Sequence, residues 1–221
     1  MPEQKMPSEA FGTCNHNRID VHRLVEAYNA LKQAGKGKRG LGHLTRSTIV
    51  TLCACWEQYI EDVIIEGVEC LKTQIDHPDQ LPLGVRKQIS KKVKAAKHEL
   101  KPLELAGEGW KEIYSVYAKD EVGRLHSPKT ENIKELFFNY LGFTDQIEEK
   151  WACGKKGVDD FVNLRNLISH KGRSAGKYTK FWEVGSSIKL IADTVIETDN
   201  ALSDYLKGVL PEGRPWNRVN K

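Results

Sequence analysis

No stretch of this chain approaches the roughly 20 uncharged apolar residues that cross a bilayer, so the sequence excludes a helical membrane protein. Residues 1–10 carry charges and two prolines and have no apolar core segment, so a secretory signal is not expected. There is no alternation of β-branched residues that reads as a strand, and helical periodicity runs nearly from end to end. Cysteine is sparse and odd in number, with five scattered thiols (Cys14, Cys53, Cys55, Cys70, Cys153). Cys53-Ala-Cys55 sets two of them about 200° apart on a helix, on opposite faces. Buried free thiols in a reducing cytoplasm are the favoured reading, because no His or Cys pair sits at a spacing that would ligate zinc. No clustered carboxylates offer a metal site either, so neither metal nor cofactor is expected. Long linkers and internal repeats are missing too.

What is present is an ordinary globular composition, 39% hydrophobic and 29% charged over 221 residues, too apolar for disorder. The length suits one helical domain. The pattern predicts a first helix over 18–33, capped by Asn17, with Ile19, Leu24, Ala27 and Leu31 inward. A basic glycine-rich loop follows at 35–40, then a long central helix over 44–74. There Ile49, Leu52, Trp56, Tyr59, Ile60, Val63 and Ile64 recur at three- and four-residue steps. Further helices are expected over 85–101, stopped by Pro102, over 109–122, over 131–141 behind Thr130 and ending at Gly142, over 158–171, and over 179–206. The expectation is an all-α, up-down bundle of five to six helices. It occupies 17–208, between a flexible N-terminus at 1–16 and a loose tail at 209–221.

The segment that carries chemistry is Asp159-Asp-Phe-Val-Asn-Leu-Arg165-Asn166-Leu-Ile-Ser169-His170-Lys171-Gly172. On a helix, Phe161, Leu164, Leu167 and Ile168 fall within an arc of about 120°, while Arg165, Asn166, Ser169 and His170 share a polar arc of about 140°. Asn166 and His170, four apart, are within reach of each other. Arg165 and His170, five apart, would flank a groove. RNA cleavage needs a proton taken from the ribose 2′-hydroxyl, a stabilised pentacoordinate phosphate, and a proton given to the 5′-oxygen. An imidazole moves protons near neutral pH, and an arginine fork matches phosphate oxygens. A solvated helix face, with His170 as a favourable C-terminal cation, accounts for the same four residues without chemistry.

The motif Arg165-Asn-Leu-Ile-Ser-His170 resembles the Arg-polar-x-x-x-His signature of the HEPN superfamily. Two further segments resemble its RiboL-PSP-HEPN subgroup. One is Arg46-Ser-Thr-Ile-Val-Thr-Leu-Cys-Ala-Cys-Trp56-Glu57, and the other is Ser127-Pro-Lys-Thr-Glu-Asn-Ile-Lys-Glu-Leu-Phe-Phe. The resemblance covers about 46–201 and implies a helical domain that pairs so that two motifs face one another across a cleft. Many HEPN proteins are metal-independent endoribonucleases of toxin–antitoxin, abortive-infection or other defence systems, and others have lost activity and serve as binding modules. Carried onto this chain, Arg165 would hold the scissile phosphate, His170 would transfer protons and Asn166 would fill the polar position after the arginine. Ser169 shares their face. Glu57 would support the site by holding Arg46 or Arg165; a solvent-facing carboxylate is the competing reading.

The expected helix at 85–101 adds a one-sided charge. Behind the stripe Val85, Ile89, Val93, Ala96 and Leu100 stand Arg86, Lys87, Lys91, Lys92, Lys94, Lys97, His98 and Lys101, against the single acid Glu99. Like charges four apart destabilise a helix, and a phosphate backbone or an acidic antitoxin surface would relieve them. Arg86, Lys87, Lys91, Lys94, Lys97 and Lys171 are the candidate RNA contacts. The chain's net charge is +4. Trp56 and Trp182 are expected in the core, while Trp110, Trp151 and Trp216 take no assignment. The functional expectation is a cytoplasmic, dimeric endoribonuclease with RNA as partner. A non-catalytic RNA- or protein-binding module is the alternative.

Overall fold

The computed structural model describes residues 6–35, 38–172 and 180–220, with the side chains of 38, 39 and 182 outside the description. The expected Trp182 core position therefore lies outside the described residues. Among these residues there are seven α-helices and no strand. The helices are α1 (Glu9–Gln33), α2 (Gly42–Gln74), α3 (Leu83–Ala95), α4 (Gly109–Val122), α5 (Thr130–Leu141), α6 (Gly154–Lys171) and α7 (Phe181–Val209). The all-α architecture is as expected, and each of the seven helical segments read from the pattern forms a helix, one or two more than the five to six expected for the bundle. Short 3-10 turns at Pro78–Gln80, Lys101–Leu105 and Ile147–Glu149 join them.

α2 is the axis of the bundle. Its residues Ile49, Leu52, Trp56, Tyr59, Ile60, Val63, Ile64, Val68 and Leu71 are completely buried, and α1, α4, α5, α6 and α7 all pack on it. A 33-residue helix with apolar residues on more than one side must be surrounded in this way. One continuous core extends from Ala10 to Trp216.

Four expectations fail for instructive reasons. α1 begins at Glu9, not behind Asn17, so 9–16 is helix and not a flexible terminus. Ser8 caps it through a 3.0 Å bond from Phe11 N. The Glu66 carboxylate of α2 then accepts from the amides of Glu9 and Ala10 at 3.0 Å each. The orphan donors of the first turn are thus satisfied by a residue far away in sequence. The inward face of α1 is Cys14, Val21 and Tyr28, while Ile19 is exposed and Ala27 also faces out.

α3 stops at Ala95, with Ala96 extended, so Lys97, His98 and Lys101 are not on it and Leu100 is exposed. Val93 is its last buried position. Beyond that, a lysine-rich segment has no apolar face to offset its own repulsion, and Pro102 disfavours helix at the residue before it.

The C-terminal segment is not a loose tail. Trp216 is buried, with its Nε1 donating to the Asp199 carbonyl at 3.3 Å and its own carbonyl accepting from Ser203 Oγ at 2.6 Å. Asn200 bonds Val219 through both its amide ends, and Asp204 pairs with Arg214 and Arg218. Thr130, expected as a cap, is instead the first residue of α5, whose N-cap is Lys129. Gly142 does end that helix, at φ 72°, a conformation reserved for glycine by the absence of a Cβ.

Candidate active site on helices 2 and 6

α6 exists because Val158, Phe161, Val162 and Ile168 give it a buried stripe against α2. It ends at Gly172, which takes φ 49°. Its polar residues are presented as the helical wheel anticipates: Arg165 and Asn166 half-buried, Ser169 and His170 exposed in the last turn. Asn166 and His170 do not hydrogen-bond to each other among the described residues.

Arg165 does not simply point to water. Its guanidinium folds back onto α2, where Nη2 donates to Glu57 Oε2 at 2.8 Å and Nε donates to the Cys53 sulfur at 3.3 Å. Nη2 also reaches the His126 carbonyl at 3.3 Å. The side chains of Arg165 and Glu57 retain only 20% and 26% of their exposure, so the ion pair is largely shielded. Burial raises the Glu57 carboxyl, while Arg165 and then His126 pull it down, and the net shift is upward. Burial works against the guanidinium as well, but the Cys53 contact and the Glu57 charge outweigh it and leave its pKa raised. Arg165 is therefore a permanently charged fork, fixed on one edge, whose Nη1 makes no hydrogen bond among the described residues.

Beside it lies a recess of about 320 Å³, lined by Arg165 and Ser169 of α6 and by Val50, Ala54, Glu57, Gln58 and Glu61 of α2. Val50 is exposed. Burial raises the Glu61 carboxyl too, helped by Glu57 and Asp62 and opposed by His126. Glu57 thus holds Arg165, one of its two expected partners. Arg46 cannot share it, since eleven residues of helix separate the two by about 16 Å. Arg46 sits half-buried near the start of α2, with its guanidinium beside Gly42.

Cys53, Glu61 and His126 were not anticipated at the site. A signal for the first two was available: 53, 57 and 61 are four apart and form one stripe of α2. His126 immediately precedes the Ser127-Pro128 segment, but only the folded chain brings it to Arg165.

The basic residues of α3 form a separate surface. Arg86, Lys87, Lys91 and Lys94 are exposed and line a shallow groove of about 690 Å³ with Leu83, Ser90 and Ala95. Lys97 is exposed on the connector after α3, and Lys171 is exposed at the end of α6. Lys92 turns away to pair with Glu121 of α4. α3 packs on α4 and α5, and α5 in turn contacts α6. The motif and the basic face therefore belong to different helices linked through α5.

Among the described residues no cluster of His, Cys, Asp and Glu is arranged to hold a metal ion, and no helix is long and apolar enough to cross a membrane. Cys14, Cys53 and Cys55 are buried thiols, and Cys70 and Cys153 are half-buried thiols.

An all-helical bundle with an Arg-polar-x-x-x-His pair on its penultimate helix, and the arginine tied to a glutamate of the long central helix, is a HEPN-type domain. The chain belongs to the RiboL-PSP-HEPN family, whose sequence model matches residues 17–204. No curated protein and no solved structure matches it.

Proposed function

We propose that this protein is an endoribonuclease of the HEPN type that cleaves RNA by acid–base chemistry without a metal. Family membership makes a ribonuclease-type activity the natural starting point. The observation that carries the proposal is the state of Arg165: charged, clamped through Nε and Nη2 by Cys53 and Glu57, and lining a recess. A guanidinium held this way meets a phosphate oxygen without first losing its own freedom. His170, about one and a half turns further along and exposed, is free to exchange protons with a bound ribose–phosphate.

In this reading two copies of the chain pair about a two-fold axis beside α6, so that two motifs share one cleft. The exposed Val50 on the rim is the kind of apolar residue such an interface covers. The basic face of α3 guides the rest of the polyanion. Expressed unrestrained, such an enzyme would act as a toxin or defence effector, and a protein with an acidic surface would suit α3 as its antitoxin. The separation of α3 from α6 also supports a second reading, in which the domain binds RNA without cutting it.

The test is incubation of the purified protein with total RNA in the presence of a chelator. The expected products end in 2′,3′-cyclic phosphate and 5′-hydroxyl. Arg165→Ala and His170→Ala should abolish cutting with the fold intact, as judged by circular dichroism. Equal cleavage by both variants and the native chain would sink the catalytic reading. Salt-sensitive binding with no cutting would select the binding module.

A further inference from the structure

The connector at 123–129, between α4 and α5, is clamped on three sides. Leu125 and Pro128 are buried. Trp56 Nε1 of α2 donates to the Pro128 carbonyl at 3.1 Å. Asn132 Nδ2 of α5 and the Lys129 amide both donate to the Ser127 carbonyl at 2.8 Å. Just beyond, Thr130 N and Oγ1 each donate to Asp159 Oδ1 of α6 at 2.9 Å. Within 125–130 only His126 is exposed. Its carbonyl is the one that accepts from Arg165 Nη2 at 3.3 Å. His126 does not itself line the recess, but through this contact it stands beside Arg165, which does, and a positive charge on its imidazole would lower both the Glu57 and Glu61 carboxyls. The backbone of His126 is thus immobilised against the motif arginine while its ring is left in solvent.

We propose that His126 is a second proton-transfer residue of the same site, working with His170 on a phosphate held by Arg165. This rests on the ribonuclease reading above and deepens it. Cleavage of an internal RNA linkage moves two protons at two different oxygens. One imidazole takes the proton of the 2′-hydroxyl as the bond from that oxygen to phosphorus forms. The other gives a proton to the 5′-oxygen as its bond to phosphorus breaks. The products are a 2′,3′-cyclic phosphate and a 5′-hydroxyl, with no oxidant, metal or water consumed. A single chain carrying one histidine would have to borrow the second from its partner. With His126 each chain owns both, brought to one guanidinium by different elements: His170 by α6, and His126 by the connector, which meets α6 at Arg165 and is followed at once by Thr130 on Asp159. A two-fold partner then lines the cleft without having to supply the second imidazole.

The experiment compares the full chain with His126→Ala, His126→Gln and His170→Ala on an RNA oligonucleotide. A second substrate is a ribonucleoside 3′-(4-nitrophenyl phosphate), whose leaving group departs without a proton. The backbone bond from Arg165 survives any substitution at 126, so melting curves should match the native chain. Both His126 variants should lose about 100-fold or more in kcat on RNA with KM nearly unchanged, as removal of a proton-transfer group does. The native pH–rate bell should lose one limb in His126→Ala and the opposite limb in His170→Ala. Exactly one of these two should regain near-native rates on the nitrophenyl ester. If the His126 variants cut RNA at the native rate with both limbs intact while His170→Ala is dead, His126 has no such role and the ribonuclease reading survives. A change in KM alone overturns the proposal equally. No cutting by the native chain overturns both.

Discussion

Glu57→Ala is the substitution whose consequences the structure specifies most fully. The native carboxylate accepts from Arg165 Nη2 at 2.8 Å in a pair that is about three-quarters shielded from water. Its removal strands a guanidinium that keeps only the Cys53 sulfur and the His126 carbonyl. Losing one partner of a charged hydrogen bond costs about 1.5–3 kcal/mol when fully buried. The residual solvent access discounts this to about 1–2 kcal/mol. For a chain of this size, each kcal/mol moves the melting temperature by about 2–4 °C, so a drop of about 2–8 °C is expected. The functional cost should be larger. An arginine fork free to swing by about 1 Å loses up to about 100-fold in rate through misplacement. Glu57→Gln, which keeps an acceptor oxygen but not the charge, should fall between. Thermal melts and single-turnover cleavage of an RNA oligonucleotide check both effects, and kcat should suffer more than KM. Native melting and native cleavage in Glu57→Ala, or a glutamine variant no better than the alanine, would refute the clamp.

Other consequences are equally measurable. Asp199 is fully buried, accepts from Ser8 Oγ and Tyr59 Oη, and burial pushes its carboxyl up to about 6 from 3.8. Because the folded state holds this proton more tightly than the unfolded chain, stability should fall as pH rises from about 4 to about 6, by about 2–3 kcal/mol. Asp199→Asn should abolish that slope and melt higher than the native chain at pH 7; a retained slope counts against it. Glu61→Gln removes a carboxylate facing the recess and should tighten RNA binding by about 2- to 5-fold at low salt, measured by fluorescence anisotropy; unchanged affinity would place RNA elsewhere. Replacing Arg86, Lys87, Lys91 and Lys94 by glutamine should weaken RNA binding and reduce the slope of log K against log salt by about 3. An unaltered slope would remove α3 from the RNA path. Asp159→Ala unties both bonds to Thr130 and should cost about 1–3 kcal/mol in urea unfolding, with a loss of cleavage as the His126 connector loosens. Full cleavage would mean the connector is held well enough without it.

Much of the architecture could be read before any coordinates. The 44–74 helix, the 109–122 helix and the break at Gly142 are local: a 3.6-residue stripe, a proline or a left-handed glycine decides each one. The same holds for the motif, since residues four or five apart on α6 must share a side. What went unread at the ends of α1 and α3 has one cause in two forms. α1 gains two turns because Glu66, more than fifty residues on, receives its first amides. α3 stops short because the last residue of its expected apolar stripe, Leu100, finds no core to cover and lies exposed. The tail misled for the same reason: its polar composition says nothing of Asn200 and Ser203, which hold Val219 and Trp216 in place.

At the site, sequence alone determined which residue types are present and that Arg165, Asn166, Ser169 and His170 occupy one face of one helix, because helical geometry is fixed by local covalent structure. Only the tertiary structure decided that Arg165 turns back to Glu57 and Cys53 and away from open water. It alone brings His126, 39 residues away, to the same guanidinium. Those outcomes depend on how α2, α6 and the 123–129 connector pack together, and packing is settled by the burial of whole faces at once, which no window along the chain contains.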